Sequence, residues 1–196
     1  MRTLVLIPLL LVGATGCIRS TYTAKRYGTT LTPIMTADDD SARRVAVGEF
    51  TIADDALDAW CFGGRRVAVP DGDDYAEYVR NALIYELSIA GAYDATAETV
   101  IEGTLHEIDL DVSPEGGRWR IELTLSSTNG AAMTTRHRHT LDMLRYRGHR
   151  CSIAALELEE AVRGTLANAL VGESFRLLVE SWDGPWRTAK RADAPR

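Results

Sequence analysis

The side chains able to do chemistry are few and scattered through the 196 residues. Three histidines, His106, His137 and His139, could offer imidazole nitrogens to a metal. His137 and His139 alternate along a predicted strand, so they share one face. The plainer reading places them at the rim of a sheet beside Arg136 and Arg138, and no metal site is expected. Neither Cys61 nor Cys151 sits in a C-x-x-C pair or has a histidine three to five residues away, the spacings zinc uses; His149 is only two residues before Cys151. Glu157, Glu159 and Glu160 read as the solvated side of a helix rather than as catalytic carboxylates. Gly63-Gly64-Arg65-Arg66 could approach an anion, but no strand-to-helix context surrounds it, so a turn is expected. Arg44, Arg65, Arg66, Arg136, Arg138, Arg145, Arg147 and Arg150 could form a basic patch; dispersed, solvated arginines are the simpler expectation. No nucleophile elbow, P-loop, dinucleotide glycine pattern, H-E-x-x-H or calcium loop is present in the sequence. The expectation is a protein that is not an enzyme and takes no cofactor.

The N-terminus carries a different chemistry. Met1-Arg2-Thr3 is followed by the apolar run Leu4 to Val12 and then by Gly13-Ala14-Thr15-Gly16-Cys17. One positive charge, a short apolar core and small residues at a cleavage zone make a secretory signal peptide. The run falls short of the ~20 apolar residues a membrane-spanning helix needs. Ala14-Thr15-Gly16-Cys17 resembles the bacterial lipobox. That resemblance implies that Cys17 is lipidated on sulfur and becomes the first mature residue. Ile18 follows it, where an aspartate would favour retention at the inner membrane. The expected location is therefore the periplasmic face of the outer membrane, through a lipid anchor on Cys17.

Cleavage after residue 16 leaves about 180 residues, enough for one domain with a real core. Loss of Arg2 takes the formal charge from -6 to -7, so the mature chain is acidic and, taken as a whole, a poor partner for nucleic acid or for anionic lipid head groups. With Cys17 taken by lipid, Cys61 and Cys151 remain. An even remainder in an oxidising compartment reads as one disulfide, the alternative being two free buried thiols.

The elements that must hold these residues follow from periodicity. Residues 17–43 lack an apolar pattern and read as a tether, including the charge run Asp38-Asp39-Asp40. Arg44 to Phe50 alternates and predicts a first strand; Thr51 to Val69 reads as a long loop that Cys61 could staple. A helix is expected after Pro70, capped by Asp71 or Asp73, with Tyr75, Val79, Ala82, Leu83, Leu87 and Ala90 as its buried stripe and Gly91 as its stop. From Thr99 to Val112 the buried face changes partway, which a bulge near His106 would reconcile. Trp119, Ile121, Leu123 and Leu125 point one way along the next strand; Arg118, Arg120, Glu122 and Thr124 point the other. For the return strand, a three-residue turn Thr128 to Gly130 sets Met133 opposite Leu125 and Thr135 opposite Leu123, which keeps arginines off the core. Ser152 is expected to cap a last helix with the stripe Ala155, Leu158, Val162, Leu166 and Leu170. Gly172 is expected to end it, with a short apolar piece from Phe175 to Val179 after it. The domain is predicted to run over 44–182, followed by a polar tail 183–196.

The order β-α-β-β-β-α predicts an α/β (α+β) sandwich, two helices on one face of an antiparallel-rich sheet. Behind a lipid anchor, this layout resembles the curli-secretion lipoprotein and the lipoprotein activators of penicillin-binding proteins. More closely, Pro70-Asp71-Gly72, Tyr78, Arg80-Asn81-Ala82-Leu83, Glu86-Leu87, Ala90-Gly91-Ala92-Tyr93 and Trp119 to Thr124 with Ser126 to Gly130 resemble a family of uncharacterised bacterial envelope lipoproteins. The two later cysteines fit it as well. His137, His139 and the charged tail depart from it. The resemblance implies location and fold, not an activity. The functional expectation is a non-enzymatic accessory or docking component of an envelope assembly, with a protein partner or a second copy of itself. A periplasmic carrier of a small ligand or lipid is the alternative, and a hydrolase is less favoured. The candidate interface residues are Trp182 and Trp186, aromatic rings in an otherwise polar tail, and Arg65 and Arg66.

Overall fold

A computed structural model describes residues 21–28, 44–61, 65–113, 116–142, 149–171 and 173–180. Its strands are β1 (Thr21–Thr23), β2 (Ala46–Ile52), β3 (Leu57–Asp58), β4 (Trp60–Cys61), β5 (Arg65–Ala68), β6 (Val100–Ser113), β7 (Gly116–Ser127) and β8 (Ala132–Thr140). The helices are α1 (Tyr75–Ile89), α2 (Arg150–Leu170) and α3 (Glu173–Val179). The fold is a mixed α+β layer structure with helices packed on a sheet.

The main sheet has the order β2-β6-β7-β8, with β3 also paired to β6. β2 and β3 run parallel to β6, while β6, β7 and β8 are antiparallel neighbours. The alternation along β7 decides which face is covered. Trp119, Ile121, Leu123 and Leu125 are buried, and α2 lies over β7 and β8 while α1 lies over β2 and β6. The indole of Trp119 donates to the Ala154 carbonyl at 3.0 Å, so the buried ring is also satisfied. Register follows the buried pattern: Leu123 faces Thr135 and Leu125 faces Met133. Gly130 takes φ 89° in the turn, a left-handed backbone open to glycine. The ladder between β6 and β7 slips by one residue between Leu105 and Glu107, the bulge at His106 that the changing face required. Gly103 on β6 leaves room for Phe50, whose ring would lie 2.3 Å from an added Cβ.

Several boundaries differ from expectation. α1 is capped by Asp74, whose carboxylate accepts from the Glu77 N–H at 2.8 Å, and not by Asp71 or Asp73. A 3-10 turn at Pro70–Gly72, with Asp71 at φ 64°, delays the helix start. Gly91, at φ 71°, stops α1 as expected. His149 is the extended residue before α2; Ser152 does not cap it, because its hydroxyl donates backwards to the His149 carbonyl at 2.6 Å. The apolar end piece is helical, as α3; Gly172 lies outside the described residues.

The expected long loop is not a loop. After β2 the chain forms β3, β4 and β5, and β4 and β5 build a second, three-stranded sheet of order β1-β5-β4. Its third strand, β1, comes from the stretch read as tether. Thr21–Thr23 pairs parallel with Arg66 to Ala68, and Ala24 N–H donates to the Ala68 carbonyl at 2.8 Å. Asp38, Asp39 and Asp40 lie outside the described residues.

Candidate functional site

The small sheet assembles two of the expected interface residues. Cys61 and Cys151 form a disulfide, with Cα atoms 5.8 Å apart, that fastens β4 to the start of α2. On the inner face Val67 and Cys61 are buried. On the outer face Thr21, Arg66 and Trp60 stand in one row across β1, β5 and β4, since Thr21 and Trp60 both pair with Arg66. All are exposed, Trp60 by 46%. Arg65 points differently. Its Nη1 donates to the Tyr22 hydroxyl at 2.8 Å, and its guanidinium lies 5.8 Å from the Tyr22 ring centroid. Arg65 therefore ties β1 to β5, whereas Arg66 has no carboxylate partner among the described residues.

The N-terminal segment continues into a groove between the helices. Tyr27 donates to Glu86 at 2.7 Å, and the Gly28 N–H donates to Glu159 at 2.9 Å. Tyr78 donates to the Lys25 carbonyl at 2.9 Å, and Tyr85 to the Gly28 carbonyl at 3.0 Å. Gly28 lies at φ 85° and an added Cβ would fall 2.5 Å from the Tyr85 ring, so only glycine passes here. Burial first, then the hydrogen bond to Glu86, holds the Tyr27 hydroxyl far above the usual phenol range. Glu86 and Glu159 are themselves fully buried, which corrects the reading of Glu159 as solvated.

Glu157 is the second correction. It is buried under the end of β8, where one carboxylate oxygen lies 3.0 Å from His139 Nε2 and the Asp142 N–H donates to both oxygens at 3.2 and 3.0 Å. His137 packs on Gly164 of α2, where an added Cβ would meet Nε2 at 2.2 Å. Burial, and secondarily the neighbouring His139, lowers the His137 pKa. His106 is on the opposite face of the sheet, its Nε2 3.0 Å from Thr124 Oγ1. The three histidines therefore do not converge, and no metal-ligating cluster occurs among the described residues.

The uncovered face of the main sheet is a charge ladder. Arg118 pairs with Asp111 at 2.8 Å, Arg120 with Glu107 at 3.0 Å and also with Asp109, and Arg136 with Glu122 at 2.6 Å. The Arg136 hydrogen bond lowers the Glu122 pKa, whereas burial raises that of Asp109. Arg138 has no carboxylate partner among the described residues and borders an open groove of about 270 Å³ with Asp111, Arg118 and Thr140. These arginines are dispersed, as the simpler expectation had it: Arg136 and Arg138 lie on the main sheet, Arg65 and Arg66 on the small one.

Asn129 in the β7–β8 turn holds α3. Its Nδ2 donates to the carbonyls of Leu177 at 2.9 Å and Leu178 at 3.0 Å, while its Oδ1 accepts from the Ala131 N–H at 2.8 Å. Sequence reasoning saw in Asn129 only a turn former. Trp60 was missed as a surface residue because a two-residue strand has no readable alternation. Cys17, Trp182 and Trp186 lie outside the described residues.

Comparison with known proteins adds two distant likenesses in fold. A protein from Xanthomonas campestris assigned to family DUF330 is similar with a TM-score of 0.49 and 11% identity, over 78% of this chain and 93% of that one. The PelC dodecamer from Paraburkholderia phytofirmans is similar with a TM-score of 0.38 and 13% identity, over 65% and 89% of the two chains. No family model matches the chain, and no curated protein does. Likenesses at these scores assign neither family nor function.

Proposed function

We propose that this chain is a periplasmic lipoprotein domain, anchored to the outer membrane through Cys17, that serves as a non-enzymatic docking component of an envelope assembly. The observation that carries this reading is the attachment of residues 21–28 to the fold by strand pairing and hydrogen bonds, four residues after the lipobox-like sequence ends. A signal peptide is discarded; the segment that follows it here is held by strand pairing and by two buried glutamates. The Cys61–Cys151 disulfide suits an oxidising compartment. The buried carboxylates Glu86, Glu157 and Glu159 are spent on tyrosine, histidine and backbone contacts that hold elements together. Such contacts favour a structural assignment for them over proton transfer.

The docking surface is the outward side of β8, an edge strand of the main sheet. Thr134, Arg136, Arg138 and Thr140 are all exposed along it. An edge offers backbone groups for strand addition, and Arg138, which has no carboxylate partner among the described residues, suits an acidic partner segment. A photo-crosslinking residue at position 134 or 138 should capture one envelope protein, or a second copy of this chain, in intact cells. Fatty-acid labelling should mark the wild type and not Cys17→Ser. Labelling of both forms would sink the anchor, and crosslinks no more abundant than from the buried position 123 would sink the surface.

A further inference from the structure

We infer that the outer face of the small sheet, with Trp60, Arg66 and Thr21 in one row, rests on the phospholipid headgroups of the membrane to which Cys17 is anchored. The inference rests on the lipid-anchor reading above and adds to it an orientation.

The first argument is reach. Four peptide steps separate Cys17 from Thr21, and a fully extended chain spans at most ~3.6 Å per residue, so the two Cα atoms lie within about 14 Å. A free tether of 27 residues, as the composition of 17–43 suggested, would leave the domain free to tumble. The parallel pairing of Thr21–Thr23 with β5 removes that freedom, because the fold begins four residues after the lipidated cysteine. Whatever surface surrounds Thr21 is brought to the membrane plane.

The second argument is the chemistry of that surface. Trp60 is the one aromatic among the large exposed apolar side chains of the described residues. Indole, apolar in body with one N–H donor, favours the headgroup region of a bilayer. Arg66 lies between Trp60 and Thr21 in the ladder and has no carboxylate partner among the described residues. A guanidinium matches phosphate with paired donors. Glu107, Asp109 and Asp111 on β6 are engaged by arginines of the main sheet. The neighbouring Arg65 is held by Tyr22 and stiffens the row rather than reaching out.

The third argument is rigidity. Strands of two, three and four residues would be poor supports alone. Here the Cys61–Cys151 disulfide fixes β4 to the start of α2, and Tyr75 donates to the Val67 carbonyl at 2.7 Å from below. The row is therefore presented as a plane.

The test uses the full lipidated chain reconstituted in phosphatidylethanolamine–phosphatidylglycerol vesicles whose lipids carry bromine near the headgroup. Trp182→Phe and Trp186→Phe leave Trp119, which is fully buried, and Trp60 as emitters. Bromolipid should quench this protein at least threefold more than the same protein with Trp60→Phe. Arg66→Glu should reduce the quenching by half or more. If mass spectrometry finds lipid on Cys17 and Trp60 is nevertheless unquenched, the docked face is wrong while the anchor stands. If the N-terminal peptide carries no lipid, both fall. Quenching unchanged in Arg66→Glu would overturn the part assigned to the guanidinium.

Discussion

The main sheet joins strands of up to fourteen residues that are mostly neighbours in the chain, while the small sheet joins pieces of two to four residues drawn from either side of a gap of more than thirty. The first stabilises itself by burying a continuous apolar face under α1 and α2. The second has too little face of its own and depends on fastenings: a disulfide, the Arg65–Tyr22 contact, and tyrosine hydroxyls donated to backbone carbonyls. The comparison shows how a short, weakly periodic segment is made rigid where reach and orientation matter. Area does the work in one region and cross-links do it in the other.

Removing the disulfide should have the largest effect and should strike the small sheet first. Closing 90 residues of chain is worth about 4.6 kcal/mol on the chain-entropy account. In the Cys61→Ser, Cys151→Ser protein, amide exchange at Arg65 to Ala68 should accelerate well before exchange at Ile121 to Leu125. Equal acceleration in both would mean that the two sheets open as one unit.

Leu123→Ala attacks the other region. The side chain is fully buried at the centre of β7, so its loss should cost about 3 kcal/mol through lost transfer energy and a residual cavity. Denaturant unfolding should show a lower midpoint, with protection falling across the main sheet. A cost under ~1 kcal/mol would show that this face is not the principal core.

Asn129→Ala should cost about 1 kcal/mol, the usual worth of a lost hydrogen-bonding cap. Its effect should stay within α3 and the β7–β8 turn. Asn129→Asp, which keeps the acceptor for the Ala131 N–H but cannot donate to carbonyls, should still loosen α3; a wild-type exchange pattern in the aspartate variant would contradict the donor role.

The smallest effect is acid sensitivity at the α2–β8 contact. His137 is held below its unfolded pKa, so the unfolded chain binds the proton more readily. At pH 8 both states are neutral there and the group contributes no difference. As pH falls below about 6.5, the unfolded state gains protons first, and stability declines until the folded-state pKa is passed. His137→Gln should flatten that decline between pH 7 and 5. An unchanged slope would assign the decline elsewhere.

Legibility followed periodicity. The face of β7, the stripe of α1, the slip at His106 and the Met133–Leu125 register could be read because each is set by neighbours two to ten residues away. Glu157 and Glu159 were read as solvated because glutamate in a helix usually is. Their partners, the Asp142 N–H and the Gly28 N–H, are not visible in the helix itself. Asp74 displaced the expected caps because the backbone turns at Asp71 and Gly72 before the helix can begin.

The sequence by itself determined the central antiparallel strands, the two amphipathic helices and the two cysteines left to pair, since these follow from alternation, helical spacing and count. Only the tertiary structure decided that residues 21–28 belong to the fold, that β2 and β3 run parallel to β6, and that Trp60 stands in a row with Arg66 and Thr21. Those features join residues far apart in the chain through backbone hydrogen bonds. Backbone donors and acceptors are the same at nearly every position, so their pairing leaves little mark on residue type.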